Sequence, residues 1–150
     1  MSAVRAGHTA TLLSSGEVLI GGGGTATAEL YRPEVVVPAP VLLSLSGRGQ
    51  GQGVIWHATT GEISSPDSPA VAGEVLSMYT TSLVPGRVIP PQVAIGGLLA
   101  EILYFGDAPG YPGYDQVNFR VPNGVASGPT VSVHLTYLGR PSNDVTIGVR

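Results

Sequence analysis

The 150-residue sequence contains no cysteine and no lysine, and only 11% of its residues are charged. Without cysteine the chain has no disulfide, no thiolate nucleophile and no cysteine-ligated zinc. Its seven arginines are outnumbered by ten acidic residues, for a net charge of -3 at pH 7, and they form no basic run that neutralises several phosphates. No apolar run is long enough to span a bilayer. We therefore expect no nucleic-acid partner and no membrane insertion.

Glycine and proline, by contrast, are abundant. The chain has 22 Gly and 13 Pro residues, and the segments between them are short and rich in Val, Thr, Ile and Leu. Short β-prone runs separated by turn residues are typical of antiparallel sheets, and no segment has the length and periodicity of a long helix. The sequence therefore predicts an all-β protein.

The first of these runs lie close together. "HTATLL", "EVLI" and "AELY" are separated by "SSG" and by four glycines, Gly21–Gly24. In this order they resemble one kelch repeat of a galactose-oxidase-like propeller, over about residues 5–33. Because a propeller closes only with about four to eight blades, we interpret residues 1–37 as a partial kelch-like blade. The resemblance implies that the propeller of a parent protein is missing, either because the gene is truncated or because the repeat array has decayed.

A change of composition follows the repeat. Pro38 and Pro40 are followed by a Gly-Arg-Gln tract, which is typical of an extended linker. We therefore predict a linker over residues 38–52 and a second domain over residues 53–150.

The second domain has several alternating segments. Apolar and polar residues alternate along three of them, so one face of each strand is expected in a core and the other in water. Gly96–Gly97 is predicted to form a two-residue hairpin turn. Together these features predict an antiparallel β-sandwich. The expected core positions are Val117, Phe119, Val121, Val131, Val133, Leu135, Tyr137, Val145, Ile147 and Val149.

The ordered segments "GVIWHATTGEISSPDSPAVAGEVLSMYTTSL" and "VAIGGLLAEILYFGDAPGYPGYDQVNFRVP" carry a second resemblance. Over about residues 51–149 the chain resembles the C-terminal domain family of Solibacter-type acidobacterial exported proteins. This resemblance implies an immunoglobulin-like sandwich, an extracellular or cell-surface location although the chain shows no signal peptide, and no catalysis.

Catalytic and metal-binding patterns are sparse. His8, His57 and His134 lack metal-ligand spacing, and no serine lies in a nucleophile motif or a context that places a histidine beside it. Asp107 and Asp115 flank a glycine- and proline-rich loop, but two carboxylates fall short of the oxygen ligands that calcium requires. We therefore expect no enzyme activity, cofactor or metal.

The segment "YFGDAPGYPGYDQ" is the best candidate for a binding site. Rigidly held tyrosines contact sugars or protein partners at low entropic cost, and the candidate binding residues are Tyr111, Tyr114, Asp107 and Asp115. Alternatively, the two tyrosines only cap the sandwich. Trp56 is predicted to lie in the core.

These observations favour a non-enzymatic structural or interaction module at the C-terminal end of a larger exported bacterial protein. Two alternatives stay open. One is a carbohydrate-binding module that uses the tyrosine-rich loop for a polysaccharide, and the other is the C-terminal remnant of a galactose-oxidase-like enzyme. The remnant would lack the active site, because the copper chemistry of that family requires a Tyr-Cys crosslink and this chain has no cysteine.

Overall fold

A computed structural model describes residues 4–32, 37–84 and 88–150 of the chain. The chain divides into two units, Met1–Val36 and Val37–Arg150. All regular elements of the described residues are β-strands, which confirms the predicted all-β class. The described part of the chain has no helix with the length and apolar character needed to cross a membrane.

The first unit contains a small antiparallel sheet of three strands. β1 (His8–Leu12), β2 (Val18–Gly22) and β3 (Ala28–Tyr31) pair in the order β1-β2-β3. The three β-prone runs of the sequence are therefore strands, although β2 continues through the first two glycines instead of ending before them. Leu12, Leu19, Leu30 and Tyr31 remain 40–53% exposed, so this sheet has no hydrophobic core of its own.

The buried side chain of Arg5 stabilises this sheet through hydrogen bonds, in place of a hydrophobic core. It is the only buried residue among residues 4–32. Its guanidinium group donates to the carbonyl oxygens of Gly22 and Thr27, to the hydroxyls of Thr25 and Thr27, and to Glu29 Oε1. Because the planar fork of arginine carries five N–H donors, one side chain fixes both the end of β2 and the loop to β3. Nothing in the sequence pattern pointed to this role.

The described residues of the second unit form nine strands: β4 (Ile55–His57), β5 (Val75–Thr80), β6 (Gln92–Ile95), β7 (Leu98–Leu99), β8 (Glu101–Asp107), β9 (Asp115–Arg120), β10 (Gly128–Tyr137), β11 (Arg140–Pro141) and β12 (Val145–Val149). Four of them form a sheet in the order β4-β5-β9-β8. The other five form a second sheet around β10, which pairs with β6 on one side and with β11 and β12 on the other, while β7 pairs with β6. All strand pairs of both sheets are antiparallel.

One hydrophobic core joins the two sheets. Leu76 and Phe119 of the four-stranded sheet and Leu135 and Ile147 of the five-stranded sheet are fully buried in it. The alternation predicted for β9, β10 and β12 is confirmed, since nine of the ten predicted core positions are buried and the tenth, Val131, packs against the core. The hairpin turn at Gly96–Gly97 is confirmed as well: both glycines have positive φ, and Ile95 pairs with Leu98 across them.

Residues 38–52 differ from the predicted linker. Leu42 is 1% exposed and belongs to the core of the second unit. Ser44 forms a β-bridge with Gly53, and Gln52 forms one with Thr146. The glycine-rich composition suggested an extended connection, but the backbone of this segment finds its hydrogen bonds in the second unit. The unit therefore begins at Val37 and not at residue 53.

β12 is held on both of its edges. One edge pairs with β10, and the other forms parallel bridges through Thr146 to Gln52 and through Val149 to Ala70. Gly148 allows a close approach here, because an added Cβ would lie 2.1 Å from the carbonyl oxygen of Ser65. The edge of β12 that faces away from β10, which an open sheet would leave unpaired, is thereby covered.

Candidate functional site

The loop between β8 and β9 consists of two consecutive turns of the same type. Ala108-Pro-Gly-Tyr111 and Tyr111-Pro-Gly-Tyr114 each close through a hydrogen bond from the fourth N–H to the first carbonyl, at 3.1 Å in both. Gly110 and Gly113 have φ values of 79° and 88°, and proline precedes each of them, which is the signature of type II turns. A further bond from the Ala108 N–H to the Tyr114 carbonyl, 2.9 Å long, closes the loop on itself. The backbone that carries the two tyrosines is therefore fixed before any ligand arrives.

This loop forms one wall of a cleft of about 410 Å³. Ser82 and Leu83, which follow β5, form the opposite wall. Tyr111 and Tyr114 both line the cleft and are 54% and 41% exposed. All four candidate residues predicted from the sequence line this cleft, so the structure brings them together.

The two aspartates of the cleft differ in their surroundings. Asp107 and Asp115 are directly paired across β8 and β9, but Asp107 is exposed whereas Asp115 is 6% exposed. The Oδ2 atom of Asp115 accepts a 2.9 Å hydrogen bond from the Leu83 N–H. Asp115 therefore holds the two walls of the cleft together. Within residues 4–32, 37–84 and 88–150, no group of three or more His, Cys, Asp or Glu side chains is placed to hold a metal ion.

An aromatic contact extends from the cleft onto the outer face of the four-stranded sheet. The ring of Tyr111 packs on Tyr79 with centroids 5.1 Å apart, and Tyr79 packs on Trp56 with centroids 4.7 Å apart. We call these three residues the aromatic face. The prediction that Trp56 lies in the core is wrong. Ile55 and His57, its neighbours on the three-residue strand β4, point inward and are buried, so the pleat turns Trp56 outward.

Polar side chains accompany the aromatic face. Trp56, Ser77, Asn118 and Tyr104 are paired in register across the four strands, which places them on the same face of the sheet. Tyr104 is 41% exposed, and its hydroxyl donates to the Asp107 carbonyl. Period-two alternation of residue type in "VLSMYT" is the signal that identifies this face, because apolar Leu76 and Met78 alternate with Ser77 and Tyr79, although Ser77 is itself only 4% exposed.

The amides on this face form a small hydrogen-bond network. The Asn118 Oδ1 atom accepts from the Ser77 hydroxyl at 2.7 Å and from Gln116 Nε2 at 2.9 Å. These two bonds fix the orientation of both amide groups. The groups still able to bond outward include the Nδ2 donor of Asn118, the second N–H of Gln116 Nε2 and the Oε1 acceptor of Gln116.

His57 lies in a second cluster of polar side chains. Its Nδ1 atom is 2.5 Å from Glu74 Oε1, and its Nε2 atom is 3.0 Å from the Ser68 carbonyl oxygen. Burial of the ring lowers the pKa of His57. The hydrogen bonds to Glu74 and Ser68, with the charges of Glu74 and Glu62, outweigh this effect and raise the pKa above its ordinary value. The two ring nitrogens thus lie between two acceptors, the Glu74 carboxylate and the Ser68 carbonyl.

The same cluster places a serine beside the histidine, which the sequence did not predict. Ser68 Oγ is 3.4 Å from His57 Nε2 and 3.2 Å from Glu62 Oε2. A general base needs a free lone pair on Nε2 to take the serine proton. Here Nε2 bonds the Ser68 carbonyl, so it carries a proton. The arrangement therefore fixes the loop after β4 and does not activate the hydroxyl.

Comparison of the chain with protein-family models, with curated proteins and with solved structures finds no match. The kelch-like and immunoglobulin-like resemblances of the sequence therefore stay predictions, and the functional argument depends on the geometry of the site.

Proposed function

We propose that the second unit is a non-enzymatic interaction module that binds its partner in the cleft between the double-turn loop and residues 82–83. The observation that carries this proposal is the fixed, exposed position of Tyr111 and Tyr114 on a doubly turned backbone. Aromatic side chains that are already ordered lose little conformational entropy on contact. Large exposed aromatic groups are also the residue types that dominate binding energy in small interfaces.

The expected sandwich topology is immunoglobulin-like, and the expected setting is an exported or cell-surface bacterial protein, in line with the resemblance over residues 51–149. Two facing antiparallel sheets with loops at their ends support the first part of this proposal. A non-enzymatic role is favoured because the His57 cluster is locked by its own hydrogen bonds.

The test is a binding screen of the full chain and of a variant carrying Tyr111→Ala and Tyr114→Ala, against arrays of polysaccharides and proteins. Retention of the parent and its loss in the double variant are the expected results. Tyr31→Ala is a matched control, since Tyr31 is 53% exposed but lies outside the cleft. A partner that is retained equally by the parent and the double variant would show that the cleft is not the binding site.

A further inference from the structure

We infer that the ligand of this module is an uncharged polysaccharide, which runs from the cleft along the aromatic face to Trp56. This inference rests on the proposed function and adds the chemical class of the ligand and the direction in which it lies. Three independent features of the outer face of the four-stranded sheet support it. They are the continuity of the aromatic face with the wall of the cleft, the hydrogen-bonding capacity of the side chains beside the rings, and the low charge of the face.

The aromatic face continues the wall of the cleft. Tyr111 lines the cleft and also contacts Tyr79, which contacts Trp56. Trp56 and Tyr79 are only partly buried. The ring planes are inclined by 76° between Trp56 and Tyr79 and by 45° between Tyr79 and Tyr111, so they form a line of apolar contacts and not one flat platform. Such a line suits an elongated ligand with repeated apolar patches, as consecutive sugar rings provide.

Hydrogen-bond donors and an acceptor both lie beside the rings. Asn118 offers Nδ2 as a donor and Gln116 offers Oε1 as an acceptor, and their mutual bond together with Ser77 holds both in place. A sugar hydroxyl both donates and accepts. The surface therefore complements a hydroxyl-rich ligand without the need to rearrange either amide.

The distribution of charged side chains around this face favours a neutral ligand over an anionic one. The register-paired residues from Trp56 to Tyr104 carry no charged side chain. At one end of the sheet Arg120 is neutralised by Glu101 at 2.9 Å, and at the other end Asp107 borders the cleft. A neutral polymer therefore meets no charge on these paired residues that must be desolvated, whereas the nearby cation that a polyanion would need, Arg120, is already paired with Glu101.

Trp56 provides the readout, because it is the single tryptophan of the chain. The full chain is titrated with a soluble neutral β-glucan, a xylan, a galactomannan and a starch-type α-glucan, and with polygalacturonate as the charged comparison. We expect at least one neutral polymer to change the emission of Trp56 and to protect it from acrylamide quenching. Polygalacturonate should leave the emission unchanged.

The variant Asn118→Asp keeps the oxygen acceptor and removes the Nδ2 donor, and it should weaken binding about tenfold. Asn123→Asp is the matched control, since it adds the same charge at an exposed turn position and should bind like the parent. Gln116→Met, which removes the amide at a half-buried position, serves as a second variant with the same expected weakening if Asn118→Asp alters the fold.

Three results overturn the inference. They are the absence of binding by every neutral polymer, binding that leaves Trp56 emission unchanged, and binding that is indifferent to both amide substitutions. Capture of a protein partner that depends on Tyr111 and Tyr114, without polysaccharide binding, would leave the proposed function intact and remove only the polysaccharide. Polysaccharide binding that persists in the double tyrosine variant would instead remove the cleft from the site.

Discussion

Asn143 and Leu42 bind each other through two hydrogen bonds across 101 residues of sequence. The Leu42 N–H donates to Asn143 Oδ1 at 2.8 Å, and Asn143 Nδ2 donates to the Leu42 carbonyl at 3.0 Å. The same Nδ2 donates to the Gly49 carbonyl at 2.7 Å. One amide side chain therefore attaches the segment that precedes β4 to the loop between β11 and β12.

Replacing Asn143 by alanine should lower the free energy of unfolding by about 2–3 kcal/mol, because three hydrogen bonds are lost and the backbone groups of buried Leu42 lose their partner. Urea unfolding of the full chain measures this loss. Asn143→Asp retains the acceptor for the Leu42 N–H, but it replaces the Nδ2 donor by a charged oxygen that faces the carbonyls of Leu42 and Gly49, so it should be at least as destabilising. An alanine variant as stable as the parent would show that water replaces the side chain at no cost.

Gly148→Ala should be among the most damaging substitutions in the second unit. Its Cβ would lie 2.1 Å from the backbone oxygen of Ser65, so a strand or a loop must move, and we expect a loss above about 2 kcal/mol or failure to fold. Gly128→Ala is the control within the same sheet, since its Cβ would meet only Val131 at 3.6 Å. Equal thermal stability of the two variants would contradict the close approach.

The stability of the chain should fall as the pH rises through the pKa of His57. The folded pKa is raised above the ordinary value of 6.5, so the contribution of His57 is fully present below 6.5 and is lost as the pH passes the folded pKa. Thermal unfolding from about pH 6 to about pH 9 should show this decrease. In His57→Gln the decrease should be smaller. A parent whose stability is constant over this range would refute the raised pKa.

Residues 37–150 should fold without the first unit. No member of the hydrophobic core precedes Val37 among the described residues, and the only buried side chain of residues 4–32, Arg5, bonds within that segment. We expect the shortened chain to unfold cooperatively, with a midpoint within about 5 °C of the full chain. A broad transition would mean that the first unit contributes to the second.

Much of the two-sheet core could be predicted from the sequence, because β9, β10 and β12 alternate over five residues or more, and alternation reports burial directly. β4 has only three residues, too few for alternation to be visible, so the prediction that Trp56 lies in the core depends on its residue type alone. Leu42 lies between Val41 and Leu43, so composition does not single it out, and no local pattern reveals that Asn143, far along the chain, holds it in place.

The candidate site, too, is only partly predictable from the sequence. Pro-Gly pairs determine local turn geometry, so the rigid loop with Tyr111 and Tyr114 could be identified from the sequence. The contact of Tyr111 with Tyr79, and the proximity of Ser68 to His57, depend on how separate strands and loops pack. Buried Arg5 was missed for a related reason, since its partners lie between 17 and 24 residues away and share no motif with it.

The position of β12 between β10 and the early residues Gln52 and Ala70 has a consequence for biosynthesis. A nascent chain leaves the ribosome from its N-terminus, at about 5–20 residues per second, so the partners of β12 emerge long before β12 does. Until Val149 has emerged, the edge of β10 that faces β12 and the backbone of residues 52 and 70 lack their final hydrogen bonds. Cooperative folding of the second unit is therefore expected to follow the emergence of β12 from the ribosome.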